Sequence, residues 1–209
     1  MKVEQAENKQ LQIIEASLKR FMHFGIVKTT MNEIADDLSI SKASLYYYFP
    51  DKTSLIIEVG KHIVSQLLKE QEAHLKSSKN FESGLKSLLD CRIDFGKKYF
   101  MMHLGDIPSE VKVNSPEFKE MIAATKKEEL RIINEFLNAY QNKGVLKAFD
   151  SEKIAQLLMD LITGIWVCEI HLHNSELIPS EEHFETIREK SYLMAEIFHH
   201  GIKLNGDGR

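Results

Sequence analysis

The chain has 209 residues, of which 43% are hydrophobic and 28% charged, so it can bury a sizeable core and is unlike a disordered or collagen-like sequence. Its 27 Lys and Arg against 31 Asp and Glu give a formal net charge of −4, which at first argues against a nucleic-acid binder. That charge is an average over the chain, however, and a protein that reads DNA needs positive charge on one face only.

The cysteine count and the apolar stretches indicate a cytoplasmic protein. Cys91 and Cys168 have neither the spacing of a zinc site nor that of a disulfide framework, which fits a reducing compartment. The longest apolar stretch, residues 157–170, contains Asp160 and is expected to be too short to span a bilayer. The polar N-terminus does not resemble a signal peptide.

The sequence predicts an all-α fold of about nine helices, because Pro and Gly are few and no sustained run alternates with period two. An amphipathic helix is expected over residues 5–24, with Gly25 as its stop signal. Thr30 begins a capping box for a short helix, and Ser41 can cap a second short helix over residues 42–48.

The rest of the chain is predicted to form longer helices separated by a single extended loop. The helices are expected over residues 52–77, 80–103, 115–144, 150–174 and 180–203. A loop that has room for one helical turn is expected over 105–114, and a frayed tail over 205–209.

Two short helices joined by a four-residue turn are typical of a helix-turn-helix, which places the second helix where it can enter a major groove. That helix begins with one cation and two small side chains, Lys42, Ala43 and Ser44, which let the backbone approach base edges. Leu45 and Phe49, four residues apart, form its inward stripe.

Phosphate contacts are expected around this helix. Three tyrosines, at positions 46, 47 and 48, lie on its flanks, and a tyrosine hydroxyl suits a phosphate oxygen. Packing in the core is an equally good interpretation for Tyr46. Backbone N–H groups at the helix starts near Thr30 and Lys52 also suit phosphates. Residues 1–52 contain seven cations and seven acids, so residues 53–209 hold 20 against 24 and the entire −4.

This region resembles the DNA-binding domain of the TetR family of bacterial transcriptional regulators. The resemblance covers about residues 10 to 60 and rests on three runs: TTMNEIA at 29–35, ISKASLYYYF at 40–49, and Asp51-Lys52 followed by Leu55. It implies a homodimeric regulator, usually a repressor, with a variable helical C-terminal domain that binds a small inducer. The predicted domains are therefore residues 1–52 for DNA binding and 53–209 for ligand binding and dimerisation.

By position, the resemblance implies phosphate contacts by Thr30, Tyr47 and Lys52, and base contacts by residues 42–44. This chain departs from the family at three positions, where Ala43, Ser44 and Tyr48 stand in place of the frequent glycine, threonine and histidine. The full set of predicted DNA-binding residues is Thr30, Ser41, Lys42, Ala43, Ser44, Tyr46, Tyr47, Tyr48 and Lys52.

The middle helices carry apolar and adaptable side chains that could line a ligand pocket, although plain core is the alternative for each of them. The predicted pocket residues are Cys91, Arg92, Phe95, Tyr99, Met102, Met121, Met159 and Trp166. Arg92 falls on an apolar stripe, so it needs an anionic partner, and an internal Asp or Glu is favoured over a ligand carboxylate.

The last two predicted helices have more apolar residues than one small domain needs, which favours a four-helix dimer interface, with intrachain core as the alternative. The predicted interface residues are Leu158, Leu161, Ile165, Phe184, Ile187, Met194 and Phe198.

No motif predicts a metal, a cofactor or an enzymatic site. Glu196 and His199 form one Glu-x-x-His pair where a di-iron bundle needs two, and His171 and His173 face different ways on a helix. Nucleotide and metalloprotease motifs are absent from the sequence. We therefore predict a repressor released from operator DNA by a small molecule. The alternatives are a DNA-bound scaffold without an inducer and, less favoured, a helical enzyme or metal carrier.

Overall fold

The structure, a computed structural model, describes residues 2–102, 115–172 and 179–204. Within these ranges the chain forms eight α-helices, one 3-10 turn and one π-helical turn, and the all-α prediction is confirmed. The helices are α1 Lys2–Phe24, α2 Met31–Asp37, α3 Lys42–Tyr48, α4 Lys52–Ser77, α5 Phe81–Lys98, α6 Pro116–Asn142, α7 Ser151–Val167 and α8 Glu181–Ile202; the 3-10 turn is Phe100–Met102 and the π turn Cys168–Leu172.

Each predicted helix has a counterpart. The first begins at Lys2, three residues before its predicted start, and the largest differences are at the C-terminal ends of two others. The helix expected to reach residue 103 ends as an α-helix at Lys98 and is followed by the 3-10 turn, and the one expected to reach 174 ends at Val167 and continues as the π turn. The predicted loop at 105–114 and the predicted tail at 205–209 lie outside the described residues.

Local capping explains where several helices begin. The Thr30 side chain accepts a hydrogen bond from Glu33 N at 3.3 Å, and the Glu33 carboxylate accepts one from Thr30 N at 2.8 Å, which completes the predicted capping box. Ser41 caps α3 by accepting from Ser44 N at 3.1 Å, and Asp150 caps α7. Each such cap contributes about 1 kcal/mol.

The chain divides into two compact units. The first comprises Met1–Gln66 and Lys98–Thr125, and the second Leu67–Lys97 and Lys126–Arg209. Helix α4 therefore contributes to both units, changing from one to the other after Gln66. The core of the first unit includes side chains that are at most 1% exposed, among them Ile13, Phe21, Ile26, Ile34, Leu45 and Leu55.

The second unit is built around aromatic rings and leucines of α5, α6 and α7. Phe81 stacks on Phe136 with ring centroids 5.1 Å apart. A Cβ at Gly84 would lie 2.6 Å from the Phe136 ring, so α5 and α6 approach closely only because residue 84 has no side chain. A Cβ at Gly96 would likewise meet the ring of Trp166, at 2.3 Å.

Helix α7 and its π turn form the most apolar stretch of the described chain. By length and composition alone Ser151–Leu172 could cross a membrane, a test that core helices of water-soluble proteins also pass. The helix continues beyond the apolar run read from the sequence. Only 33% of the most apolar 18-residue segment of this helix is buried within the subunit. Much of its apolar side is therefore not covered by the rest of the chain.

Candidate nucleic-acid interface

A tight turn joins α2 to α3 and fixes the helix-turn-helix. The N–H of Leu38 donates to Ile34 O at 3.2 Å and that of Ile40 to Ala35 O at 3.0 Å, while Ser39 has a positive φ of 51°. Leu45 is fully buried and Phe49 is 4% exposed, as the inward stripe predicts. The inward face of α3 is thereby held against the first unit and its other face is turned outward.

The outward face of α3 carries the side chains that the sequence singles out. Ser41, Lys42, Ala43, Tyr46 and Tyr47 are exposed, and Ser44 and Tyr48 are half-buried. Tyr46 is 45% and Tyr47 82% exposed, so Tyr46 is not part of the core. The Tyr47 and Tyr48 rings meet edge to face at 5.1 Å. A cation, small side chains and phenol hydroxyls thus share one accessible surface, the combination that groove and phosphate contacts use.

Thr30 is the N-cap of α2, and both of its donors are already used. Its hydroxyl donates to Glu33 Oε2 at 2.8 Å, and its N–H donates to the same oxygen at 2.8 Å. These hydrogen bonds lower the pKa of the Glu33 carboxyl. A phosphate contact by Thr30 therefore requires displacement of the Glu33 carboxylate.

At the start of α4, the polar groups of Asp51, Lys52 and Ser54 are likewise hydrogen-bonded within the chain. Asp51 accepts hydrogen bonds from Ser54 N at 2.7 Å and from Ser54 Oγ at 2.6 Å, which lower the pKa of the Asp51 carboxyl. Lys52 is half-buried and donates to Val27 O at 3.3 Å, and burial lowers the pKa of its ammonium. The ammonium of Lys52 is thus held at the beginning of α4, next to a capping carboxylate that the sequence reasoning overlooked.

Arg20 is the structural residue of this region that the sequence analysis missed. Its guanidinium binds the Asp37 carboxylate at 2.7 and 2.9 Å and Glu33 at 2.9 Å, and lies over the Phe24 ring at 5.0 Å. These contacts connect α1 to both ends of α2. The partners are up to 17 positions away, so no local pattern signals the pairing.

The predicted pocket residues are not gathered in one unit. Tyr99, Met102 and Met121 belong to the first unit, and the other five to the second. The half-buried members are Arg92, Phe95, Met121 and Trp166, and the buried ones are Cys91, Tyr99, Met102 and Met159.

Two polar members of the pocket set have internal partners. Arg92 of α5 forms an ion pair with the buried Glu129 of α6, which is the internal partner that the sequence favoured. The Cys91 thiol lies 3.9 Å from Glu70 Oε2. Burial, reinforced by that carboxylate, raises the pKa of the thiol to about 11, so Cys91 is protonated at neutral pH and is a poor nucleophile.

The predicted interface residues on α7 and α8 fall into two groups. Leu158, Phe184 and Ile187 are buried inside the subunit, at 1%, 5% and 2% exposure. Leu161 is exposed, and Ile165, Met194 and Phe198 are half-buried. The most exposed apolar side chains of α7 and α8 on this surface are Leu157, Leu193 and Ile197, none of which belongs to the predicted interface set.

No group of three or more His, Cys, Asp or Glu side chains within the described ranges could hold a metal ion. His173, one of the histidines weighed above, lies outside those ranges.

Comparison with known proteins agrees with this geometry. Residues 13–59 match the family model of bacterial regulatory proteins of the tetR family. A solved transcriptional regulator from Cytophaga hutchinsonii has the same fold, with a TM-score of 0.82 and 27% identity over 94% of this chain and 99% of that one.

Two curated relatives are regulators as well. The HTH-type transcriptional regulator YhgD of Bacillus subtilis is 22% identical over 153 residues, which is 73% of this chain and 80% of that protein. The probable acrEF/envCD operon repressor of Escherichia coli is 35% identical over 48 residues, so the match spans only 22% of its length. These relatives are regulators and not enzymes, and the chain belongs to the TetR family of bacterial DNA-binding transcriptional regulators.

Proposed function

We propose that this regulator is a homodimeric, cytoplasmic repressor that releases its operator when a small molecule binds. In this proposal residues 1–52 read DNA, and residues 53–209 bind the ligand and form the dimer. The observation that carries the proposal is the outward face of α3, where Lys42, Ala43 and Tyr47 are exposed while Leu45 beneath them is fully buried.

The two lysines have different roles in this proposal. Lys42 lies on the exposed first turn of α3 and contacts base edges, whereas Lys52 at the start of α4 contacts a phosphate. Lys42→Ala should therefore reduce discrimination between operator and unrelated duplex. Lys52→Ala should weaken binding to all duplexes and reduce the slope of log affinity against log salt by about 1.

Gel shifts over a salt series test this assignment, with an operator obtained by selection from a random duplex library. Lys19→Ala, an exposed cation of α1 outside the α3 surface, serves as the matched control. Equal retention of the operator by wild type and by the variants at Lys42 and Lys52 contradicts the site assignment.

Dimerisation is supported by the apolar surface of α7 and α8. Leu157 is 49% exposed, Leu161 38%, Leu193 59% and Ile197 65%. We call these four residues the α7–α8 face. Exposed apolar clusters of this kind mark association surfaces in water-soluble proteins, and two helices from each subunit form a four-helix interface. This arrangement places the apolar side of α7 against a second subunit.

Release by a ligand requires that its binding favour a dimer geometry in which the recognition helices no longer match successive major grooves, about 34–36 Å apart. The continuity of α4 supports this step, since one helix includes Lys52 in the first unit and residues 67–77 in the second. A reporter under the selected operator tests it: induction by added small molecules supports the repressor, and constitutive repression throughout a broad screen supports a DNA-bound scaffold instead.

A further inference from the structure

The side chain of Gln71 is a buried polar group that neither the fold nor the DNA-binding surface explains. Gln71 is 0% exposed, and neither its Oε1 nor its Nε2 has a hydrogen-bond partner within the described structure. Buried amides are nearly always hydrogen-bonded, because an unpartnered one loses its hydration and receives nothing in return. The carboxamide is therefore available for a partner from outside the chain.

The contacts of its two neighbours in sequence show where Gln71 points. Glu70 Oε2 lies 3.9 Å from the Cys91 thiol of α5, and Glu72 accepts a hydrogen bond from Arg131 of α6 at 3.4 Å. Successive residues of an α-helix are rotated by about 100°. The side chain of Gln71, midway between a residue facing α5 and one facing α6, is directed into the space between those two helices.

Beside Gln71 this three-helix layer contains a matched ion pair and, one helical turn further, apolar side chains. Arg92 of α5 and Glu129 of α6 cross the layer as an ion pair, so their charges are already matched. One helical turn away, Leu75 of α4, Leu88 of α5 and Ile132 of α6 belong to the apolar core cluster. A charged ligand group would lose its hydration here without gaining an oppositely charged partner, because Arg92 and Glu129 already pair with each other. A neutral group is therefore favoured.

We propose that the layer between α4, α5 and α6 is the ligand site of the repressor, and that Gln71 binds a neutral amide or lactam group on an otherwise apolar ligand. An amide offers one donor and one acceptor side by side, and so matches both free atoms of the carboxamide. The inference rests on the proposed function for its regulatory meaning, but binding at Gln71 is measurable without DNA.

The first test is thermal stability at fixed protein concentration. Gln71→Met and Gln71→Leu remove an amide that has no partner, so at least one of them should raise the Tm by about 2–6 °C. Gln141→Met is the matched control, because Gln141 Nε2 donates to Lys147 O at 2.9 Å and to Phe149 O at 3.2 Å. That control should lower the Tm. A lower Tm in both Gln71 variants means that the amide is satisfied in solution and overturns the proposal.

The second test compares three unbranched six-carbon probes, namely hexanamide, hexanoate and hexylammonium, by calorimetric titration without DNA. Hexanamide should bind saturably to the wild type and at least tenfold more tightly than either charged probe. Gln71→Met should lose this preference, and Gln141→Met should keep it. Absence of saturable hexanamide binding, equal affinity for all three probes, or an unchanged preference in Gln71→Met each overturns the proposal.

Operator gel shifts of the same proteins separate this inference from the proposed function. Gln71→Met should bind operator as wild type does when no ligand is present. Normal operator binding together with failed hexanamide binding refutes the Gln71 site alone. Failure of the wild type to bind DNA refutes the proposed function, while amide binding at Gln71 would still establish the site.

Discussion

Replacement of Ile197 by asparagine is expected to weaken the dimer strongly. Ile197 is 65% exposed in the subunit and lies in the α7–α8 face. Full burial of an isoleucine side chain is worth about 1.5–3 kcal/mol, so covering the exposed part in a dimer is worth about 1–2 kcal/mol per subunit. A two-fold interface contains the residue twice, which gives about 2–4 kcal/mol. The dimer Kd should therefore rise by roughly 30- to 700-fold.

Sedimentation velocity over a concentration series measures this change directly. Val27→Asn is the matched control, because Val27 is 66% exposed but belongs to the first unit and not to the α7–α8 face. Circular dichroism should show unchanged helix content for both variants, since substitutions at exposed sites rarely alter folding. The reasoning is refuted if the wild type stays monomeric, or if Ile197→Asn and Val27→Asn associate alike.

Two further predictions concern stability. Thr30→Ala removes the side-chain half of the capping box with Glu33 and should cost about 1 kcal/mol, which lowers the Tm by roughly 2–4 °C, whereas Thr30→Ser should retain the cap. His199 has its pKa lowered, first by burial and then by the nearby charge of Lys203. The unfolded chain therefore binds the proton more readily, so the stability present above the ordinary pKa of 6.5 is lost as the pH falls below it. The urea midpoint should drop between pH 7.5 and pH 5.5, and less so in His199→Gln.

Clear outcomes would contradict these two predictions. An equal Tm in the alanine and serine variants at Thr30 would show that the cap contributes nothing to stability. His74→Gln, at an exposed histidine of α4, is the control for the pH series. If it changes the pH dependence as much as His199→Gln does, burial of His199 is not the cause.

The features that the sequence predicted correctly are the local ones. The caps at Thr30, Ser41 and Asp150 involve partners three residues away, and such spacings are visible in the sequence itself. The inward stripe of α3 is equally local. A helix-turn-helix combines several such signals within some fifty residues, which is why the order of its amino acids is enough to identify it.

The features that escaped prediction depend on which elements pack together. Arg20 forms a hydrogen bond with Asp37, and the Gln71 amide has no partner among the described residues. Neither fact can be deduced from the spacing of residues along the chain. The α7–α8 face shows the same limit. Leu157 and Leu158 are neighbours of identical chemistry, yet the first is 49% and the second 1% exposed. In a helix as apolar as α7, the hydrophobic pattern alone cannot separate the inward side from the outward one.

The turn between α2 and α3 restricts which residues can replace Ser39. Ser39 has a φ of 51°, a conformation that glycine, asparagine and aspartate adopt readily and β-branched residues resist. Its N–H also donates to Asp36 O at 3.0 Å, so proline would lose a hydrogen bond as well as the required φ. A saturation library at position 39 should therefore retain operator binding with small and Asx side chains and lose it with valine, isoleucine and proline, although residue 39 need touch no DNA.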